Sequence, residues 1–245
     1  MLGELYQPKG LARETARAVL EVDEPWAVNV AWGCRNCTYC YNRRRTGGNI
    51  TYPKEPPVEF VRKQLEDGLK PEGVFLSFGC EPLLDDVNFA NTWNIVNLLR
   101  EHDIRVAVLS KMDTLLIAYE KVRHGMTIVS LSHTFDFQYE AGALSSVQRV
   151  EKLQNASARG CYTWVSVEPY PCPSIFKQDL KGLLEELTFV DFMIFGKWNY
   201  DKRANTATAK EFYKQAAVEF VDFCKEHGIR YHVKSDTLGG KNARE

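Results

Sequence analysis

Short apolar runs recur along the chain, separated by longer stretches with helical spacing. The runs are Trp26–Trp32 (WAVNVAW), Val74–Phe78, Arg105–Leu109, Thr127–Leu131, Tyr162–Val167, Asp191–Phe195 and Ile229–Val233. Brief, mostly apolar and rich in β-branched or aromatic residues, they predict strands buried on both faces of a parallel sheet. Between them, Val58–Leu69 places Phe60, Val61 and Leu65 on one stripe, and Phe89–Glu101 does the same with Trp93, Val96 and Leu99. Thr114–Arg123, Ser146–Ala158, Ile175–Leu187 and Lys210–His227 complete the predicted helices. Leu11–Leu20 predicts one more, ahead of the first strand. Gly125, Gly160 and Gly228 stand where a helix gives way to a strand. Such β-α alternation implies right-handed crossovers and a parallel sheet, either open or rolled into a barrel. Periodicity does not choose between the two. In both, functional groups belong in the loops after the carboxyl ends of the strands.

Composition narrows the class. Lys plus Arg is 31 against 32 for Asp plus Glu, so no global positive field draws the chain to nucleic acid or lipid. The run Arg43-Arg44-Arg45 reads as a solvated face or a local phosphate contact. No apolar run reaches the roughly 18–20 residues of a membrane span, and the mixed-charge start MLGELYQPKGLARETARAVL is not a secretory signal. The expectation is a cytoplasmic protein with no membrane partner. Seven cysteines, an odd number without a signal, argue against a disulfide scaffold.

Three of those cysteines, Cys34, Cys37 and Cys40, fall in Gly33-Cys34-Arg35-Asn36-Cys37-Thr38-Tyr39-Cys40-Tyr41, directly after the first predicted strand. Thiolates at this spacing can converge on a metal centre if the loop curls, and soft ligands suit zinc or an iron–sulfur cluster. A closed zinc site needs a fourth ligand, and no second CxxC or nearby CxxH supplies one locally. Cys80, Cys161, Cys172 or Cys224 would have to reach it through the fold. Cluster, zinc and buried free thiols are the three readings of the triplet.

The triplet after a first strand, with an aromatic residue before its last cysteine, resembles the radical S-adenosylmethionine (radical SAM) enzymes. Its CxxCxxC is one residue shorter than their usual CxxxCxxC. The wording of the loop looks most like the branch related to spore photoproduct lyase. Ser77-Phe78-Gly79-Cys80-Glu81-Pro82 resembles the family's GGEP segment, with Cys80 in place of the second glycine. Leu109-Ser110-Lys111 resembles a TK or SK step of that branch, and Glu140-Ala141-Gly142-Ala143 with Arg149 its E-P-G-x-P…R stretch. The likeness runs from about Trp26 to Tyr200.

What the resemblance implies is a partial (β/α)6 TIM-like barrel of the radical SAM type, one domain over 1–245. Residues 1–25 would form an N-terminal extension with one helix, 26–200 the barrel core, and 201–245 a C-terminal helix and strand. It implies a [4Fe–4S] cluster on Cys34, Cys37 and Cys40, one iron left for S-adenosyl-L-methionine (SAM), and a 5′-deoxyadenosyl radical. Under this reading Glu81 accepts from the methionyl ammonium, Gly79 admits the ligand and Pro82 fixes the turn. Lys111 and Arg149 suit the methionyl carboxylate. Ser110 and Ser132 face the ribose or carboxylate, Tyr39 packs on the adenine, and Trp198 and Tyr200 close the far side. Cys80, or failing it Cys172, is a candidate hydrogen-atom donor. A one-electron donor such as flavodoxin or ferredoxin is implied, with a protein partner at the open side of the barrel also compatible. The substrate is unassigned: a nucleic-acid base or lesion, a peptide or a small metabolite.

Each residue also has a plainer reading. Glu81 suits a helix N-terminus, Ser110 and Ser132 are favoured helix caps, and Arg149 suits an ion pair. Lys111 fits a loop lysine, Trp198 and Tyr200 the core, and Cys80 a small buried residue. Of five histidines only His133 follows a strand. The competing function is a non-catalytic β/α protein with structural zinc or an Fe–S centre. A (β/α) hydrolase lacks support, since GxSxG, Walker A and HExxH are absent.

Overall fold

The computed structural model describes residues 2–34, 37–117 and 121–239. Seven strands form one sheet: β1 Trp26–Val28, β2 Gly73–Leu76, β3 Arg105–Ser110, β4 Val122–Thr127, β5 Thr163–Tyr170, β6 Phe192–Lys197 and β7 Arg230–Val233. All neighbours are parallel and the spatial order is β1 to β7 without a break. This order settles what periodicity left open. Right-handed crossovers between sequential neighbours put the connecting helices on one face, which is the winding of a barrel, not of a doubly wound sheet. The sheet is not closed, because β1 and β7 do not pair.

The helices are α1 Gly10–Leu20, α2 Tyr41–Thr46, α3 Pro57–Glu66, α4 Asp86–Glu101, α5 His133–Tyr139, α6 Ser146–Ala158, α7 Leu180–Glu185 and α8 Ala207–Glu226. One sheet face packs on them in two stretches. Val28, Val74, Leu76, Val106 and Val108 meet Val61 of α3 and Ile95, Val96 and Leu99 of α4. Met126, Val165, Val167, Met193 and Phe195 meet α6, α7 and α8 through Leu153, Leu183 and Phe220. The alternate positions Ala27, Phe75, Ala107, Trp164 and Ile194 meet Ala16, Val19 and Leu20 of α1. The first helix therefore fills the inner face of the sheet. Its carboxyl end is held by arginines: Arg123 donates to the Val19 carbonyl, Arg105 to the Leu20 carbonyl. Cations at that end answer the helix dipole and the unpaired last carbonyls.

Two sequence expectations are corrected. The fourth strand is Val122–Thr127, not Thr127–Leu131. The helix expected over Thr114–Arg123 is a single 3-10 turn, Thr114–Ile117, within the described residues. V-R-H-G-M-T does not read as a strand because its polar members have buried uses. Arg123 reaches α1, and Gly125 is a strand residue where an added Cβ would lie 2.1 Å from the Trp164 ring. Two short helices, α2 and α5, were not expected. The seventh strand, expected as an addition, pairs with β6 in the same parallel sheet.

Candidate functional site

Asn29, the one polar residue in WAVNVAW, follows β1 and is 2% exposed. Its Oδ1 accepts from Ser77 Oγ (3.0 Å), Phe78 N (3.0 Å) and Gly79 N (2.7 Å), so one carboxamide gathers the loop after β2. The cysteine loop is tied to the same place. Gly33 N donates to the Gly79 carbonyl at 2.9 Å, and Asn42 Nδ2 to it at 2.6 Å. Tyr41 Oη donates to the Phe78 carbonyl at 2.5 Å. The loops after β1 and β2 are thus one hydrogen-bonded unit. Gly79 has no Cβ because Asn29 and Trp32 occupy its space, each with an atom 2.8 Å from where a Cβ would stand.

The three thiols lie on this unit. Cys34 and Cys37 are buried, and Cys40 caps the start of α2. A hydrogen bond from the Cys34 thiol lowers the Cys40 pKa; burial opposes it, but backbone N–H groups of Arg43 and Asn42 help bring it to about 6. Burial pushes Cys37 up to about 12. The donor set is thus three thiols that sense one another on one loop, which fits a thiolate-ligated iron–sulfur cluster, where each cysteine binds a different iron. Among the described residues no three His, Cys, Asp or Glu side chains converge as a single metal ion would require.

Beside the thiols stands a group of buried charges. Glu81 accepts from Ser110 Oγ and, on its other oxygen, from Lys111 N at 2.9 Å. Burial raises its pKa against these bonds. The Lys111 ammonium lies 5.5 Å from the centre of the Tyr39 ring. Burial lowers its pKa, but Cys37 and Glu140 outweigh that and leave it above the ordinary lysine value. Tyr39 Oη donates to Glu140, and Glu140 accepts from Arg149 on its other oxygen. Arg149 is fully buried and also bonds Asp136 (3.2 Å) and the Thr127 carbonyl. The Tyr39 ring meets Trp198 edge-on at 4.8 Å.

The structure therefore gathers Cys34, Cys37, Cys40, Tyr39, Glu81, Ser110, Lys111 and Arg149 at the carboxyl ends of β1 to β4 and the loops that follow. Pro82 sits in the turn after Glu81, its carbonyl accepting from Thr92 at 2.7 Å. Cys80 is buried, 3.3 Å from Ser77 Oγ, and burial pushes its thiol up to about 12. Ser132 precedes α5 without a side-chain capping bond, and His133 opens that helix exposed to solvent. Trp198 is buried, whereas Tyr200 is 65% exposed. Arg43, Arg44 and Arg45 are exposed on α2. Cys172 packs in the same apolar cluster as Cys37, Tyr39 and Trp198. Asn29 and Asn42 were missed in the sequence; the signal for Asn29 was a lone amide in an apolar run. Two surface clefts, of about 400 and 650 Å³, lie elsewhere: one at the amino ends of β3 to β5, one along α1 and His232.

The incomplete, singly wound parallel barrel, with its polar groups on the loops after the strands, is a fold shared with solved structures of other proteins. A spore photoproduct lyase mutant with bound AdoMet and dinucleoside spore photoproduct superposes with a TM-score of 0.63 at 13% identity, over 85% of this chain and 76% of that one. SuiB of Streptococcus suis bound to S-adenosylmethionine gives 0.59 at 11% identity, over 84% of this chain and 49% of that one. The chain thus spans about half the length of SuiB. At these identities the shared feature is the fold. No family model and no curated protein matches the sequence.

Proposed function

We propose that the chain is a radical SAM enzyme whose single domain holds a [4Fe–4S] cluster on Cys34, Cys37 and Cys40. The observation that carries this reading is the gathering of three thiols, Glu81 and Lys111 on the strand-end loops of a radical SAM fold. When bound, the cluster and SAM supply a 5′-deoxyadenosyl radical for hydrogen abstraction, an electron coming from a flavodoxin- or ferredoxin-like donor.

The chain's own residues bind and orient. Glu81 Oε1 accepts from both Ser110 Oγ and Leu83 N, whereas Oε2 accepts only from Lys111 N and keeps a lone pair for the methionyl ammonium. Lys111 has no carboxylate paired directly with it among the described residues, and takes the methionyl carboxylate. Arg149 adds its charge from behind, since its two Nη atoms are engaged. Tyr39 and Trp198 exclude water on the adenine side, Gly79 and Pro82 shape the wall, and Ser110 and Ser132 face the ribose or carboxylate. Cys80 is the proposed hydrogen-atom donor; a Cys80→Ala variant with an unchanged product and rate would exclude it. One neighbour is bound to a dinucleoside spore photoproduct and another to a precursor peptide, and a nucleic-acid base or lesion, a peptide or a small metabolite remains the substrate class for this chain.

The test is anaerobic reconstitution followed by dithionite, SAM and an assay for 5′-deoxyadenosine. The expected protein is brown, with about four irons and four sulfides per chain. Colourless protein holding one zinc ion, or a loaded cluster that releases no 5′-deoxyadenosine with or without candidate substrates, overturns the reading.

A further inference from the structure

Glu140 is buried at 1% exposure and lies 101 residues from the loop it touches. One of its oxygens accepts from Tyr39 Oη, the other from Arg149 Nη2. A buried carboxylate is costly unless paired and hydrogen-bonded, and here both conditions hold. The arrangement behind it is rigid. Arg149, on α6, also bonds Asp136 of α5, and Asp136 Oδ2 accepts from Ser146 N (2.8 Å) and Ser146 Oγ (2.9 Å) at the start of α6. Glu140 therefore projects from a junction in which α5 and α6 are already locked together. Alongside, Thr38 N donates to the Tyr139 carbonyl at 2.9 Å, a second tie between the cysteine loop and the same junction.

We propose that Glu140 is a positioning residue for the cysteine loop. Through the Tyr39 hydroxyl it fixes the Cys37–Cys40 limb against Trp198, so that this limb is set in place before any cluster binds. Tyr39 stands between the two cysteines, and the turn Cys40 N to Cys37 O, 3.3 Å, closes around it. The other limb, at Cys34, is held from the opposite side by the Gly33 to Gly79 bond. The loop is thus clamped at both ends by elements distant in sequence. Chain entropy that would otherwise be lost on cluster assembly is lost on folding instead.

The role of the loop as a ligand loop rests on the function proposed above, but its clamping is tested without a cluster. In the metal-free protein, alkylation of Cys37 by iodoacetamide is followed by peptide mass spectrometry, with Cys224 as internal reference. Tyr39→Phe removes only the hydroxyl. It is expected to speed Cys37 labelling roughly ten- to a hundredfold, the factor by which loss of one charge-assisted hydrogen bond favours local opening. Cys224 labelling and the far-ultraviolet dichroism should stay as in the wild type. Glu140→Gln should act in the same direction, and the double variant should be no faster than the faster single one, because both break one link. In reconstituted protein the same variants should lose iron to a chelator faster than wild type. If Tyr39→Phe leaves Cys37 labelling at the wild-type rate, or speeds Cys37 and Cys224 equally, the proposal fails. If Cys37 responds as expected and wild-type protein takes up no cluster, the clamp stands and the enzyme reading falls.

Discussion

At the scale of residues, Asn29 does the most with one side chain. Three donors from the loop after β2 depend on its single oxygen. Asn29→Ala takes that acceptor from the half-buried Phe78 amide and the buried Gly79 amide, while Ser77 Oγ keeps Cys80 Sγ, at roughly 1–3 kcal/mol for a buried group left unsatisfied. Urea unfolding should show a loss at least that large, and reconstituted protein should hold less iron than wild type. Cys34→Ala, Cys37→Ala or Cys40→Ala should instead abolish cluster loading with little change in far-ultraviolet dichroism, since none of the three fills the main sheet core. Retention of four irons by any of them would refute the ligand assignment. The cysteines, Glu81 and Lys111 were legible because each follows a strand in chain order, so their places could be anticipated without knowing any contact. The Tyr39–Glu140 bond was not legible. One sequence shows both residues but carries no signal that pairs them across 101 positions.

Elements show a similar division. The helix over Ser146–Ala158 was readable to its ends because Ser145 and Gln148 form a capping box ahead of an amphipathic run. β4 was hidden because Arg123 and Gly125 serve α1 and Trp164 instead of showing an apolar face. The same contacts make α1 testable as an element. Arg123 bonds the Val19 carbonyl and Glu21 at 2.7 Å, nearly out of solvent. Arg123→Ala should cost about 1–3 kcal/mol in chemical denaturation through the lost charged hydrogen bonds and helix-end charge. Near the middle of α1, Glu14 accepts from His232 Nε2 and Ser235 N, both at 2.7 Å. Burial raises its pKa, but these bonds outweigh burial and hold it at about 2, below the ordinary 4.5. A depressed carboxyl gives stability that is fully present above its unfolded pKa and is lost as pH falls through the folded one. Unfolding free energy should therefore drop between about pH 4.5 and 2, and Glu14→Gln should flatten that part of the profile. An equal slope in wild type and variant would show that the bonds contribute nothing.

For the molecule as a whole, ligand binding should be visible as stability. SAM at a hundred times its dissociation constant stabilises by about 2.7 kcal/mol, which for a chain of this size raises Tm by roughly 5–10 °C. Cluster-loaded wild type should show that shift in a thermal scan, and Glu81→Gln and Lys111→Ala should lose most of it while keeping their iron. The sequential strand order could not be read from periodicity, because helix and strand lengths are alike in open and rolled sheets. It is fixed by pairing, which only the folded chain reveals. One feature of that pairing bears on biosynthesis. Helix α1 lies against the inner face from the start of the chain, yet Glu14 is partnered by His232 218 residues later and Glu21 by Arg230 209 residues later. On a ribosome the first helix waits for the last strand. Until β7 emerges, α1 has Arg105 and Arg123 but lacks His232 and Arg230, and the edge of β6 is bare, the kind of unpaired edge that invites association with other chains. The contacts between α1 and β7 therefore form late, since 218 and 209 residues separate the partners in sequence.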